Sequence, residues 1–237
     1  MSNMRPVAGK PFRHELKYII SAGEHRVMST RLKACLKQDY YASLNGGEYS
    51  IRSLSFDDPY DTAVTEKADG VDLRDKYRIR IYNLTDDVIK LERKHKEGQY
   101  IKKDSLSLTR AECEAIVHGD FRCLLLRPEP FARHMYGVFA AERLRPKVIV
   151  DYTREPYVFP VEDVRVTFDK DVRTAMRAVD LFNPNLPTYP VWSLKNCMIL
   201  EVKFNASLPV YVADLIQVGA AQHTAASKYV FCRQYEF

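Results

Sequence analysis

Charged side chains recur at every second position in several stretches of this chain. Arg13, Glu15 and Lys17 share one face of such a stretch, with Leu16, Tyr18 and Ile20 on the other. Lys76, Arg78 and Arg80 oppose Tyr77, Ile79 and Ile81, and Lys90, Glu92, Lys94 and Lys96 oppose Ile89 and Leu91. Arg165, Thr167 and Asp169 oppose Val164, Val166 and Phe168, and Glu201 and Lys203 oppose Leu200, Val202 and Phe204. Period two is the spacing of a β-strand, so each stretch carries a charged face and an apolar face. The charged faces are mainly basic. Like charges at i and i+2 repel one another unless an anion neutralises them. Glu15, Glu92 and Glu201 each stand two residues before a lysine. If these faces line one interior, that interior is a polyanion site with carboxylates to spare for a divalent metal. Magnesium and manganese take hard oxygen ligands of this kind and bridge phosphate oxygens. An antiparallel sheet with one wet face gives the same alternation with no function attached.

The elements that must position these residues are mostly strands. Phe12–Ile20, Tyr49–Phe56, Lys76–Tyr82, Val88–Lys96, Lys147–Val158, Val164–Lys170 and Met198–Phe204 alternate or carry β-branched and aromatic residues. Gln99–Lys103 adds a short strand after a turn at Glu97-Gly98, forming a hairpin. Helices are fewer. Ser21 with Glu24 forms a capping box for a helix reaching about Lys37, and Thr109 with Glu112 repeats that signature. Phe131–Arg143 and Leu208–Gln222 complete the helical set. Many strands with short connections and scattered helices predict an α+β fold built on an antiparallel sheet, with strand spacings that suit a barrel.

Composition excludes several classes. The 237 residues include 36 Lys plus Arg against 31 Asp plus Glu, a net charge of +5, which is a mild bias and no nucleic-acid tail. No apolar run is long enough for a membrane helix or a secretory signal. The five cysteines (35, 113, 123, 197 and 232) are odd in number and form no CxxC pair, so reduced thiols and a cytoplasmic location are expected. No P-loop, Rossmann glycine fingerprint, GxSxG or HExxH is present. Tyr18, Tyr152 and Tyr229 flank basic positions, which leaves them either packing residues or adenine contacts. The basic residues alternate with apolar ones instead of lining an exposed helix, which argues against a nucleic-acid partner.

Taken in order, the strands become familiar. Arg13-His-Glu-Leu-Lys-Tyr18 resembles the opening strand of the vacuolar transporter chaperone (VTC) domain, a branch of the triphosphate tunnel metalloenzyme (CYTH-like) superfamily. Tyr49 to Asp57, Lys76-Tyr-Arg-Ile-Arg-Ile-Tyr82, Leu91-Glu-Arg-Lys94, Lys147 to Arg154, Val164 to Asp169, Leu200-Glu-Val-Lys203 and Ser227-Lys-Tyr229 are similar to its later segments. The resemblance implies one domain over 12–233 after a tail at 1–11, folded as a closed antiparallel tunnel of about eight strands with a few flanking helices. It implies an ATP-dependent polyphosphate polymerase that passes the γ-phosphoryl group of ATP to a growing chain. A triphosphatase and a non-catalytic polyphosphate- or nucleotide-binding module are the alternatives. Carried over by position, Lys17, Arg78, Arg80, Lys94, Arg154, Lys203 and Lys228 would be catalytic, and Arg52, Arg165 and Ser227 would bind substrate. Glu201, with Glu15 and Glu92, would hold Mn2+ or Mg2+. The partners implied are ATP with polyphosphate or pyrophosphate, and conceivably a membrane protein that the sequence does not show. One departure stands out. Hydrolytic relatives open with Glu-x-Glu-x-Lys, whereas Arg13 occupies the first of those positions here. The resemblance implies a free-standing, prokaryotic-type version, expected without the extra domains of the eukaryotic VTC proteins.

Overall fold

The structure, a computed structural model, describes residues 12–217 and 226–234. Its strands are β1 (Arg13–Ser21), β2 (Lys37–Gln38), β3 (Tyr49–Asp57), β4 (Leu73–Tyr82), β5 (Ile89–Glu97), β6 (Tyr100–Leu108), β7 (Arg145–Phe159), β8 (Val164–Thr174), β9 (Tyr189–Pro190) and β10 (Cys197–Phe204). The helices among the described residues are α1 (Ala22–Cys35), α2 (Tyr40–Ser43), α3 (Thr62–Ala68), α4 (Arg110–Val117), α5 (Pro130–Ala141), α6 (Val210–Leu215) and α7 (Lys228–Arg233). The long strands follow one another as β7-β3-β4-β5-β6-β1-β10-β8, and β8 pairs back onto β7. Eight strands therefore close into an antiparallel barrel, which leaves no free edge around the ring. The two-residue strands β2 and β9 add to β7 and β8.

Local chemistry sets the connections. The β5–β6 hairpin turns through Gly98, whose φ of +56° is a left-handed conformation open to glycine at little cost. Reciprocal capping boxes start α1 at Ser21 and Glu24 and α4 at Thr109 and Glu112, satisfying amide groups that the first helical turn leaves free. The first turn of α3 is held by Asp58, whose carboxylate accepts from the Thr62 amide and hydroxyl. That helix was not expected from the sequence, because a seven-residue helix beside Asp-Pro-Tyr-Asp carries too little periodicity to register. Of the helix expected over Leu208–Gln222, Val210–Leu215 is helical. Positions 218–222, like the tail at 1–11, lie outside the described residues.

The wet face expected from the alternation is the inside of the barrel, and both faces of the wall are covered. On the outside, α4 and α5 pack Cys113, Ile116, Met135 and Phe139 onto Leu54, Phe56, Ile79, Leu91 and Leu106. Opposite them, α1 and α6 pack Met28, Leu32, Val212 and Ile216 onto Ile20, Val166, Phe168, Leu200 and Val202. Each such buried side chain contributes roughly 1.5–3 kcal/mol, so the apolar half of the alternation holds the barrel shut around its polar half. Tyr229 and Cys232 of α7 join a third cluster with Ile51, Val150, Tyr152 and Ile199. No described helix is long and apolar enough to cross a membrane.

Candidate active site

The barrel encloses a cavity of about 750 Å³. Antiparallel register sets its walls. Lys17 stands opposite Glu201 and Glu15 opposite Lys203 between β1 and β10, while Arg78 stands opposite Glu92 and Lys76 opposite Lys94 between β4 and β5. The period-two faces of separate strands thus meet in one lumen. Lys17, Arg78, Arg80, Lys94, Arg154, Arg165, Lys203, Ser227, Lys228, Glu15 and Glu201 all line it. Glu92 lies just behind Arg78 and Arg80, 1% exposed.

Arg52 does not join them. It shares β3 with Ser53 and Ser55, whose side chains line the lumen, so alternation turns Arg52 outward. There it forms a bidentate pair with Asp151 (Nε–Oδ1 2.9 Å, Nη2–Oδ2 2.8 Å) and donates from Nη1 to the carbonyl of Asn183 at 2.6 Å. This arginine ties the barrel wall to the loop after β8 and lies outside the lumen.

Three carboxylate clusters organise the lumen. In the first, Glu15 and Glu201 share lysines. Lys17 Nζ lies 3.1 Å from Glu15 and 3.5 Å from Glu201, Lys203 contacts both, and Lys94 approaches Glu15 at 2.6 Å. Burial would raise the Glu15 carboxyl, as would Glu201, but Lys17, Lys94 and Lys203 together hold it below the usual carboxylate range. Burial is outweighed in the same way at Glu201, where Lys203, Lys17, Lys94 and Arg154 keep the carboxyl far below its ordinary value. In the second cluster, Arg78 donates from Nε to one oxygen of Glu92 at 2.8 Å, with its Nη2 paired 2.7 Å from the same oxygen, and Lys103 donates to the other oxygen at 2.7 Å. In the third, Asp169 accepts from Arg154 Nε at 2.7 Å and Nη2 at 2.8 Å and pairs with Lys228. Burial opposes its charge, but Arg154 and Lys228 bring its pKa down to about 2. Arg80 donates to the Tyr152 hydroxyl at 3.0 Å, and the ring of that tyrosine lies 4.6 Å beneath Lys228 Nζ.

Helix α7 is fastened to this lumen. Ser227 caps it, Lys17 donates to the Ala226 carbonyl at 3.2 Å, and the Tyr229 hydroxyl donates to Asp57 at 2.6 Å. Tyr152 and Tyr229 line the cavity, whereas Tyr18 packs with the outer apolar cluster. Lys76, Lys103, Asp169 and Tyr152 also belong to the site. The sequence signal for the first three was available, since each shares a strand face with a named residue once the register is known.

The donor set fits a divalent cation in part. No cluster of three or more His, Cys, Asp or Glu side chains among the described residues is arranged to hold a metal. Glu15 and Glu201 do converge, bridged by the ammonium groups of Lys17 and Lys203. Two carboxylates suffice for magnesium or manganese when phosphate oxygens and water supply the other ligands. Glu92 does not fit that role, because both of its oxygens are taken by Arg78 and Lys103.

Comparison with known proteins agrees with this geometry. Among solved structures, the putative adenylyl cyclase HpAC1 from Hippeastrum, described as having a dominant triphosphatase activity, is similar at a TM-score of 0.55. It is 15% identical, and the match covers 94% of this chain and 96% of that one. A putative adenylate cyclase from Bacillus halodurans matches at a TM-score of 0.50 and 11% identity, over 88% of each chain. At such identities the likeness establishes the fold alone, a closed antiparallel β-barrel. No curated protein matches the sequence. The VTC domain model matches residues 12–237, nearly the whole length, and the chain belongs to the VTC domain family.

Proposed function

We propose that the protein is an ATP-dependent polyphosphate polymerase, moving the γ-phosphoryl group of ATP onto the end of a polyphosphate chain held in the lumen. The observation that carries this reading is the closed interior in which arginines and lysines outnumber the carboxylates they pair with. Phosphoryl transfer asks a protein mainly for position and for charge on the equatorial oxygens. Arg78, Arg80 and Arg154 suit bidentate contact with phosphoryl oxygens, while Lys17, Lys94, Lys203 and Lys228 act as point charges. The carboxylates fix these cations in place before substrate arrives. Glu201 and Glu15 would hold Mn2+ or Mg2+, which would supply neutralising charge to the phosphate oxygens when bound.

A triphosphatase is the second reading, favoured by the activity described for the Hippeastrum neighbour. The first strand weighs against it. Arg13 is engaged with Asp163 and adds no carboxylate to the lumen. The two readings separate in one experiment. Purified protein is incubated with ATP, a trace of pyrophosphate and manganese, and followed by phosphorus-31 NMR. Growth of an internal-phosphate signal with ADP supports the polymerase. Free phosphate without polymer establishes the hydrolase, and unchanged ATP overturns both.

A further inference from the structure

Lys76 differs in its contacts from the carboxylate-paired cations of the lumen. Lys17, Lys94 and Lys203 touch Glu15, Arg78 and Lys103 touch Glu92, and Arg154 and Lys228 touch Asp169. Among the described residues, no carboxylate lies within ion-pair distance of Lys76. Its Nζ donates to the Ser227 hydroxyl at 3.2 Å and stands 5.5 Å from the centre of the Tyr229 ring. The Tyr229 hydroxyl is committed to Asp57. The charged groups that act most strongly on Lys76 are cations, Lys17 from β1, Lys94 from β5, Arg74 from its own strand and Lys67 from α3, with the carboxylates Glu15 and Glu201 standing behind Lys17. Burial first, and then these four cations, bring the Lys76 amine down to about 7.

We propose that Lys76 is a phosphate contact charged by its ligand: as a phosphoryl oxygen reaches it, the neutral amine takes one proton from solvent, and the resulting ammonium pairs with that oxygen. The inference rests on the reading of the lumen as a phosphate-chain site. Its physical logic is that a permanent cation at this position would add repulsion to a lumen already rich in positive charge. An amine that charges on demand adds attraction only when the anion is present. Above pH 7, anion binding is then coupled to proton uptake. As pH falls through about 7, Lys76 becomes charged in the free protein and the uptake fades.

The test is calorimetric titration of the full chain with inorganic tripolyphosphate at pH 8, with a chelator and no metal. Buffers of different ionisation enthalpy give the number of protons taken up per anion bound. Lys76→Arg, which stays charged, should bind at least as tightly as wild type and take up about one proton fewer. Lys76→Met should lose the same proton together with about tenfold or more in affinity. It provides the proton count if the arginine variant fails to fold by circular dichroism. A proton count unchanged from wild type in a folded Lys76 variant overturns the proposal while leaving the phosphate lumen standing. Failure of wild type to bind tripolyphosphate overturns the phosphate-lumen reading itself, and this inference with it.

Discussion

Glu201 and Glu92 lie in one barrel on the same alternating pattern, yet their neighbours differ. Glu201 shares Lys17 and Lys203 with Glu15, so two carboxylates converge on flexible, single-point ammonium groups. Glu92 is gripped by the planar fork of Arg78, with Lys103 on its second oxygen and Arg80 at 3.8 Å. An ammonium on a four-carbon stem can swing aside for a divalent cation, whereas a forked guanidinium pair is geometrically committed. The lumen thus holds one carboxylate pair suited to exchange partners and one carboxylate suited to hold arginines in position. The sequence motif around each, a glutamate two residues before a lysine, does not distinguish them.

Substitutions can break this comparison at either end. The largest effect is expected from Glu201→Gln, which should lower metal-dependent turnover by about 10²–10³-fold. Binding of tripolyphosphate without metal should be retained, because the basic residues remain. Glu92→Gln should act differently. Leaving Arg78 and Arg80 without their buried partner should cost about 3 kcal/mol in denaturant unfolding and weaken anion binding, with manganese affinity unchanged. Equal losses of manganese affinity in the two variants would erase the distinction. Arg52→Ala sharpens it from outside the barrel. It strands the Asp151 carboxylate on the outer wall and should cost about 2–3 kcal/mol in stability, while tripolyphosphate affinity per folded molecule stays at the wild-type level.

Acid gives the most graded effect. The carboxyls of Glu15, Glu92, Glu201 and Asp169 all sit below their ordinary values in the folded chain. Depressed carboxyl pKa values add stability that is fully present above the unfolded values and lost as pH falls through the folded ones. The urea midpoint should therefore stay level from pH 7 to about 5 and decline between about pH 4 and 2, the lower part of that window reporting Asp169. A decline already complete above about pH 5 would contradict this assignment to the lumen carboxylates.

Much of the fold was legible because strand alternation is a local property. Arg13, Glu15 and Lys17 declare their common face within five residues, and the barrel follows from closing such strands on one another. Arg52 shows where that reasoning stopped. Ser53, Leu54, Ser55 and Phe56 mix small polar and large apolar residues, so β3 has no clean polar face from which to read its direction. Register with β4, which sets Ser53 against Arg80, decides it. Lys76 and Glu92 show a second limit. Their strand faces were evident, but whether a carboxylate or a hydroxyl stands beside each depends on the pairing of β4 with β5 and on the approach of α7 from far along the chain. Short helices such as α3, whose first turn is held by the carboxylates of Asp57 and Asp58, leave little periodic trace.

In the proposed reading, Glu15 and Glu201 form the metal-accepting end of a phosphate-binding lumen. A crystal grown with manganese and tripolyphosphate tests it most directly, through the anomalous scattering of the metal. One manganese peak is expected between Glu15 and Glu201, with phosphate density running alongside Arg78, Arg80 and Arg154. A manganese peak at Glu92, or tripolyphosphate bound only outside the barrel, would contradict it.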